Sequence, residues 1–202
     1  MAEVTLRGVS KRFGATRAVR DVTMTVPDGA FMVLLGPTGA GKTTILRLIA
    51  GLETADAGAL GIGGRDVGAL TPAQRDVAMV FQQYSLYPHM SVRDNLAFPL
   101  RSPVLRTPEP EITRRVGQVA EMLQIAHKLD NKATALSGGE MQRVSIGRAL
   151  VRSPAAFLMD EPLSSLDAKL RSDLRVELKA IQANTGATFL YVTHDQIEAM
   201  TM

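Results

Sequence analysis

A lysine and a threonine close a glycine-rich run, Gly36-Pro37-Thr38-Gly39-Ala40-Gly41-Lys42-Thr43, which fits the spacing G-x-x-x-x-G-K-[ST]. Glycines so placed let successive backbone N–H groups converge on an anion with no Cβ in the way, and a helix starting directly after them adds a favourable field. The chemistry is phosphate binding. Lys42 brings a mobile positive charge to the β and γ phosphates, Thr43 offers a hydroxyl to Mg2+, and Thr44 adds a phosphate contact. A Gly-rich turn before a helix is the plain alternative, and it leaves the full match to the pattern unexplained.

A second cluster, Phe157-Leu158-Met159-Asp160-Glu161-Pro162, ends an apolar run with two adjacent carboxylates. Buried strands seldom finish that way without a cation or a proton to manage. Asp160 is suited to hold Mg2+ through water. Glu161, on the opposite side if strand side chains alternate, could orient and deprotonate an attacking water. Both acids could instead cap the following helix, but beside a phosphate loop the catalytic reading gains, since phosphoryl transfer needs a metal holder and a water positioner.

These groups need a scaffold, and the patterning supplies one. Phe31-Met32-Val33-Leu34-Leu35 is a continuous apolar run, the mark of a parallel strand covered on both faces, and it leads into the phosphate loop. Val77-Ala78-Met79-Val80-Phe81, Ala155-Ala156-Phe157-Leu158-Met159 and Phe189-Leu190-Tyr191-Val192 repeat the pattern. Helical spacing separates them: Ile45, Leu48, Ile49 and Leu52; Val116, Val119, Ala120 and Leu123; Leu170, Leu174, Leu178 and Ile181. Val4 to Leu6 and Val22 to Val26 alternate as half-buried antiparallel strands do, and Pro27-Asp28-Gly29 turns the chain. The fold class that follows is α/β: a mostly parallel core sheet, an antiparallel side sheet at the N-terminal end, and a more helical segment over about residues 91–152. Pro103, Pro108 and Pro110 make Arg101 to Pro110 a surface connection leading into a helix. The last helix begins near Asp195, and the chain is expected to be a fragment because Thr201-Met202 falls inside it.

Leu136-Ser137-Gly138-Gly139-Glu140-Met141-Gln142-Arg143, followed by a helix and then the acidic strand, resembles the LSGGQ signature of ABC transporter ATPases. Physically, Ser137 can cap a helix while the bare amides of Gly138 and Gly139 form a second anion site, and two anion sites for one nucleotide point to a dimer. A merely capped loop is the plainer alternative. The resemblance implies a P-loop ATPase fold, ATP and Mg2+ as ligands, and a head-to-tail homodimer or paired subunit in which the signature of one copy closes on the γ-phosphate held by the other. It implies that Gln82 senses Mg2+ and the γ-phosphate, that His194 contacts the γ-phosphate, that Ser164-Ser165-Leu166-Asp167 crosses the dimer interface, and that Phe13 stacks on adenine. Standing alone, Gln82 would be an ordinary loop residue, His194 a helix-start residue, Asp167 an N-cap and Phe13 a core residue.

Tyr84 to Val92, Asn95 to Leu100 and Glu161 to Arg171 look like ATPases of sugar and glycerol-phosphate importers. That likeness implies integral membrane permease partners, a solute-binding protein acting indirectly, and a place on the cytoplasmic face of the plasma membrane. Glu140 stands where the family carries Gln and Phe13 where it usually carries Tyr. The C-terminal regulatory domain of such importers is expected to be absent. Soluble ABC ATPases of DNA repair or translation carry a coiled-coil insertion, a zinc site or a second cassette; none is visible. A small-molecule kinase would not account for Ser137-Gly138-Gly139 or His194, whereas a cassette that binds ATP without turnover stays open.

Composition bounds the rest. At 202 residues, with 46% hydrophobic and 21% charged, the chain is long enough for one well-buried core. The net charge of +3 comes from Lys and Arg spread along the chain, so no nucleic-acid partner is implied. Cysteine is absent, which excludes disulfides and thiolate metal sites. No apolar run approaches the ~18 residues needed to span a bilayer.

Overall fold

The computed structural model describes residues 2–103 and 105–202. Val104, within the expected Arg101 to Pro110 connection, lies outside the described residues. Along the chain the elements are β1 (Val4–Phe13), β2 (Thr16–Val26), β3 (Phe31–Leu35), α1 (Lys42–Ala50), β4 (Ala57–Ile62), β5 (Arg65–Asp66), β6 (Val77–Val80), α2 (Val92–Ala97), α3 (Glu109–Met122), α4 (Gly138–Leu150), β7 (Ala156–Asp160), α5 (Ala168–Thr185), β8 (Phe189–Thr193) and α6 (Gln196–Thr201). They divide into two compact units, Met1–Met79 with Pro154–Glu161 and Asp173–Met202, and Val80–Ser153 with Pro162–Ser172. Among the described residues no helix is long and apolar enough to cross a membrane.

The first unit holds two sheets. The antiparallel one runs in the order β2-β1-β4-β5. Its long strands outrun the short alternating stretches that mark them in the sequence, because the alternation of β1 changes phase. Val4 and Leu6 are buried, and so is Val9, an odd step further on. A bulge between Leu6 and Val9 absorbs the extra residue, with Gly8 at φ 62, a conformation a side chain would strain.

The core sheet runs β3-β8-β7-β6, with β3, β8 and β7 parallel. Every residue of β7 and β8 is buried, as their continuous apolar sequences require. The expectation that β3 is covered on both faces fails: its residues are partly exposed and Leu35 is 49% exposed. β3 has a single strand neighbour, β8, so it sits at the margin of this sheet.

Leu46, Leu48 and Ile49 of α1 are fully buried in one cluster with Leu158, Leu190 and Val192; each such side chain contributes roughly 1.5–3 kcal/mol. Contrary to the spacing that included Leu52, α1 ends at Ala50 with Gly51 in the left-handed region, and Leu52 is exposed. The guanidinium of Arg75, 4% exposed, completes that end by donating to the carbonyls of Leu48 at 2.6 Å, Ile49 at 3.1 Å and Leu70 at 3.0 Å.

In the second unit α2, α3 and α4 bury Leu96, Val116, Ala120, Val144 and Ile146. Fully buried Asn95 holds the chain before α2, accepting from the Tyr87 amide at 2.9 Å and donating to the Tyr87 carbonyl at 3.1 Å. The connection after Arg101 is shorter than expected. α3 starts at Glu109 with Pro108 as its N-cap, and Pro110 lies in the first turn, where a missing N–H leaves no bond unmade.

Candidate active site

Parallel strands end at one edge of their sheet, and the register shows which residues emerge there. Leu35 lies beside Thr193, and Asp160 beside Val192. The loop after β3, the acids ending β7 and the histidine after β8 therefore share the carboxyl edge, where open α/β sheets bind ligands.

The phosphate-type loop runs from Gly36 to Gly41. Gly41, the N-cap of α1, has φ 89, and a Cβ there would run into the Ala18 carbonyl of β2. Glycine is thus required both by conformation and by close approach. Pro37, Thr38, Gly39 and Ala40 are exposed, whereas Gly36, Thr43 and Thr44 are partly buried. The Lys42 side chain turns inward: its ammonium donates to the carbonyls of Gly36 at 2.7 Å and Pro37 at 2.9 Å and lies 4.0 Å from Glu161 Oε1.

Thr43 joins the loop to the acidic strand across 117 positions of sequence, its hydroxyl donating to Asp160 Oδ1 at 2.8 Å. Burial pushes the Asp160 carboxyl above the usual range; the Thr43 hydroxyl opposes the shift, neighbouring Glu161 adds to it, and Arg47 and Lys42 oppose it. A buried carboxylate held at this disadvantage beside a second one is relieved by a cation.

Glu161 departs from the sequence reading in its geometry. β7 ends at Asp160, and Glu161 has φ 46, so its direction is set by a left-handed backbone and not by strand alternation. Its amide donates to the Val192 carbonyl at 3.0 Å, tying the residue to β8. Glu161 Oε2 lies 2.8 Å from His194 Nδ1. His194 keeps half its side chain in solvent, while Glu161 is mostly covered. Lys42, Thr43, Asp160, Glu161 and His194 form one cluster.

Oxygen donors of this kind suit Mg2+, which keeps several waters and takes phosphate oxygens rather than filling a protein cage. Among the described residues no group of three or more His, Cys, Asp or Glu is arranged to hold a metal. Thr43 and Asp160 fit such an ion, and the exposed loop beside Lys42 fits a polyphosphate.

Phe13, ending β1, is 46% exposed, and the Lys11 ammonium lies 5.2 Å from its ring centre. At that exposure Phe13 is not a core residue.

In the second unit Gln82 is exposed just after β6. Ser137 is the N-cap of α4, within a full capping box. Glu140 Oε2 accepts from the Ser137 amide at 2.8 Å and from its hydroxyl at 2.9 Å, and Lys128 lies 3.0 Å from the other oxygen. The Ser137 amide above all, with Lys128, holds the Glu140 carboxyl down at about 2. Ser-x-x-Glu spacing could have flagged this box in the sequence. Gly139 is buried against Leu170, which leaves no room for a side chain, and Gly138 is partly exposed. Asp167 Oδ1 accepts from the Leu170 amide at 3.0 Å, capping α5. Arg75 and the buried acid Glu198 have no counterpart in the sequence reading.

Comparison with known proteins follows the same line. The family described as ABC transporter matches residues 19–164. The sn-glycerol-3-phosphate import ATP-binding protein UgpC of Paracoccus denitrificans (strain Pd 1222) is 53% identical over 202 residues, covering all of this chain and 57% of that protein. The protein of the same name from Rhizobium meliloti (strain 1021) is 54% identical over 203 residues and is covered to 58%. The chain thus spans somewhat over half the length of the curated relatives it matches. Among solved structures, the ADP conformation of an ATP-binding cassette of an ABC transporter superposes with a TM-score of 0.83 at 30% identity, covering 96% of this chain and 82% of that one. A nucleotide-free ATP-binding cassette gives a TM-score of 0.85 at 29% identity, with 99% and 84% covered. With glycine loop, acidic strand and capped Ser-Gly-Gly helix in this order along an α/β cassette, the chain belongs to the ABC transporter family.

Proposed function

We propose that this chain binds and hydrolyses ATP and thereby energises solute import through a membrane permease, with sn-glycerol 3-phosphate or a related sugar or polyol phosphate as the solute. The observation that carries the reading is the cluster of Lys42, Thr43, Asp160, Glu161 and His194 at the carboxyl edge of the core sheet. The names of the relatives support the choice of solute class.

In this reading the loop Gly36, Pro37, Thr38, Gly39, Ala40 and Gly41 wraps the phosphates, Lys42 and Thr44 contact them, and Phe13 stacks on the base. Thr43 and Asp160 would hold Mg2+. When bound, that ion neutralises charge on the β and γ oxygens. Glu161 accepts a proton from the attacking water; the oxygen forms a bond to the γ-phosphorus as the bond to the bridging oxygen breaks, leaving ADP and phosphate. Lys42 and His194, on either side of Glu161, keep its carboxylate aimed at the water.

Ser137, Gly138 and Gly139 then serve a second copy, gripping the γ-phosphate held by its Lys42, so that two composite sites form in a head-to-tail dimer. Residues 91–152 act as the helical subdomain that faces the permease at the cytoplasmic side of the membrane. A solute-binding protein takes part only through the permease, and nucleic acid has no part. Glu161→Gln is expected to keep ATP binding within about threefold while lowering ATPase turnover by roughly 10²–10⁴-fold. Turnover at the unaltered rate would remove Glu161 from this role.

A further inference from the structure

A buried acid that the reaction does not use lies one turn beyond the site. Glu198 of α6 is 2% exposed, in a protein interior where an ionised carboxylate is costly unless strongly bonded. A single oxygen, Oε2, accepts from the Tyr191 hydroxyl at 3.0 Å and the Thr193 hydroxyl at 2.7 Å. The chain between these residues is closed by further bonds. Thr193 Oγ1 accepts from the Asp195 amide at 3.0 Å, and Asp195 Oδ1 accepts from the amides of Ile197 at 2.8 Å and Glu198 at 3.3 Å.

His194 stands between Thr193 and Asp195, the residues this network fixes. Tyr191 and Thr193 are buried, whereas the His194 ring reaches out and lies 2.8 Å from Glu161 Oε2. His194 keeps about half its side chain in solvent. Its backbone is clamped on both sides, by a carboxylate rooted in the helix that follows.

We infer that Glu198 is a positioning residue, which holds His194 against Glu161 by anchoring the end of β8 to the first turn of α6. The inference rests on the reading that His194 and Glu161 act together in ATP hydrolysis. Without the carboxylate, Thr193 is free to change rotamer, the Asp195 amide loses its partner, and the His194 ring swings from Glu161. Glutamine retains one oxygen able to accept from both hydroxyls, so this substitution keeps the two bonds that fix Thr193 and Tyr191.

The test is a double-mutant cycle with a spectroscopic readout. Glu198→Ala is expected to lower kcat by about 10–100-fold with KM for ATP within about twofold, and Glu198→Gln to recover to within about threefold of wild type. In a His194→Ala background, Glu198→Ala should add less than about twofold. Ring signals of 13C-labelled histidine, with His194 assigned by its loss in His194→Ala, should move in Glu198→Ala and stay in place in Glu198→Gln. Thr193→Val, which breaks the same link without emptying the core, should move them likewise if Glu198→Ala fails to fold. An unmoved His194 signal in Thr193→Val, or losses that multiply in the double mutant, would overturn the inference. If His194→Ala itself leaves turnover unaltered, the catalytic reading fails, while the ring signal still decides whether Glu198 positions the histidine.

Discussion

Asp160 carries a buried carboxyl whose pKa is raised, chiefly by burial. Its folded-state pKa is raised, so its contribution to stability is full below the unfolded pKa and is lost as pH rises through the folded value. Wherever the group is ionised, its buried charge is a liability that a bound cation would offset. Asp160→Asn should therefore raise the melting temperature of nucleotide-free protein near pH ~7 and erase the extra stabilisation that Mg2+ adds to ATP, both read by thermal unfolding. Glu140 has the opposite sign. With its carboxyl held at about 2 against an ordinary 4.5, its stabilisation is present above the unfolded value and lost as pH falls through the folded one. Glu140→Gln keeps a capping residue but not the charge, so the melting-temperature gap between the two proteins should close across that acid window. Lys42→Ala removes charge-assisted bonds to phosphate and should weaken ATP binding by about 10–100-fold in calorimetry.

Elements are held as much by groups that cap them as by apolar faces. Arg75 satisfies the last carbonyls of α1, the helix that begins with Lys42 and Thr43, from a buried position where no water can replace it. Arg75→Met is expected to cost about 2–4 kcal/mol, checked by denaturant unfolding. Nothing in the sequence marks this arginine, or Glu198, as buried, because a charged side chain enters a core only where tertiary partners wait for it. β4 was equally silent: Ala57-Gly58-Ala59-Leu60-Gly61-Ile62 has Ile62 as its one strongly strand-forming residue beside two glycines and two alanines, and pairing with β1 supplies the structure its local preference does not. β7 and β8 were legible because strands buried on both sides must be apolar throughout. Asp160 was legible for the converse reason, as the point where that apolarity stops. The backbone of Glu161 was not, since β7 stops at Asp160 and Glu161 turns into the left-handed region.

At the scale of the whole molecule, the words of the site were readable one by one while their assembly was not. Gly36 to Thr43 and Asp160-Glu161 each announce their chemistry locally. Their meeting depends on β3 and β7 flanking β8, a strand order that no short stretch encodes. Ser137 belongs to the other compact unit and carries its own helix N-terminus, already closed by Glu140. In the proposed reading, a chain with one phosphate loop and a second helix N-terminus at Ser137 would use both on one nucleotide by pairing with another copy. The direct measurement is small-angle scattering or analytical ultracentrifugation of Glu161→Gln protein at saturating Mg-ATP. The expected result is a dimer that forms with ATP, falls apart with ADP, and is lost on Lys42→Ala. Single copies at saturating ATP, with nucleotide bound, would contradict it.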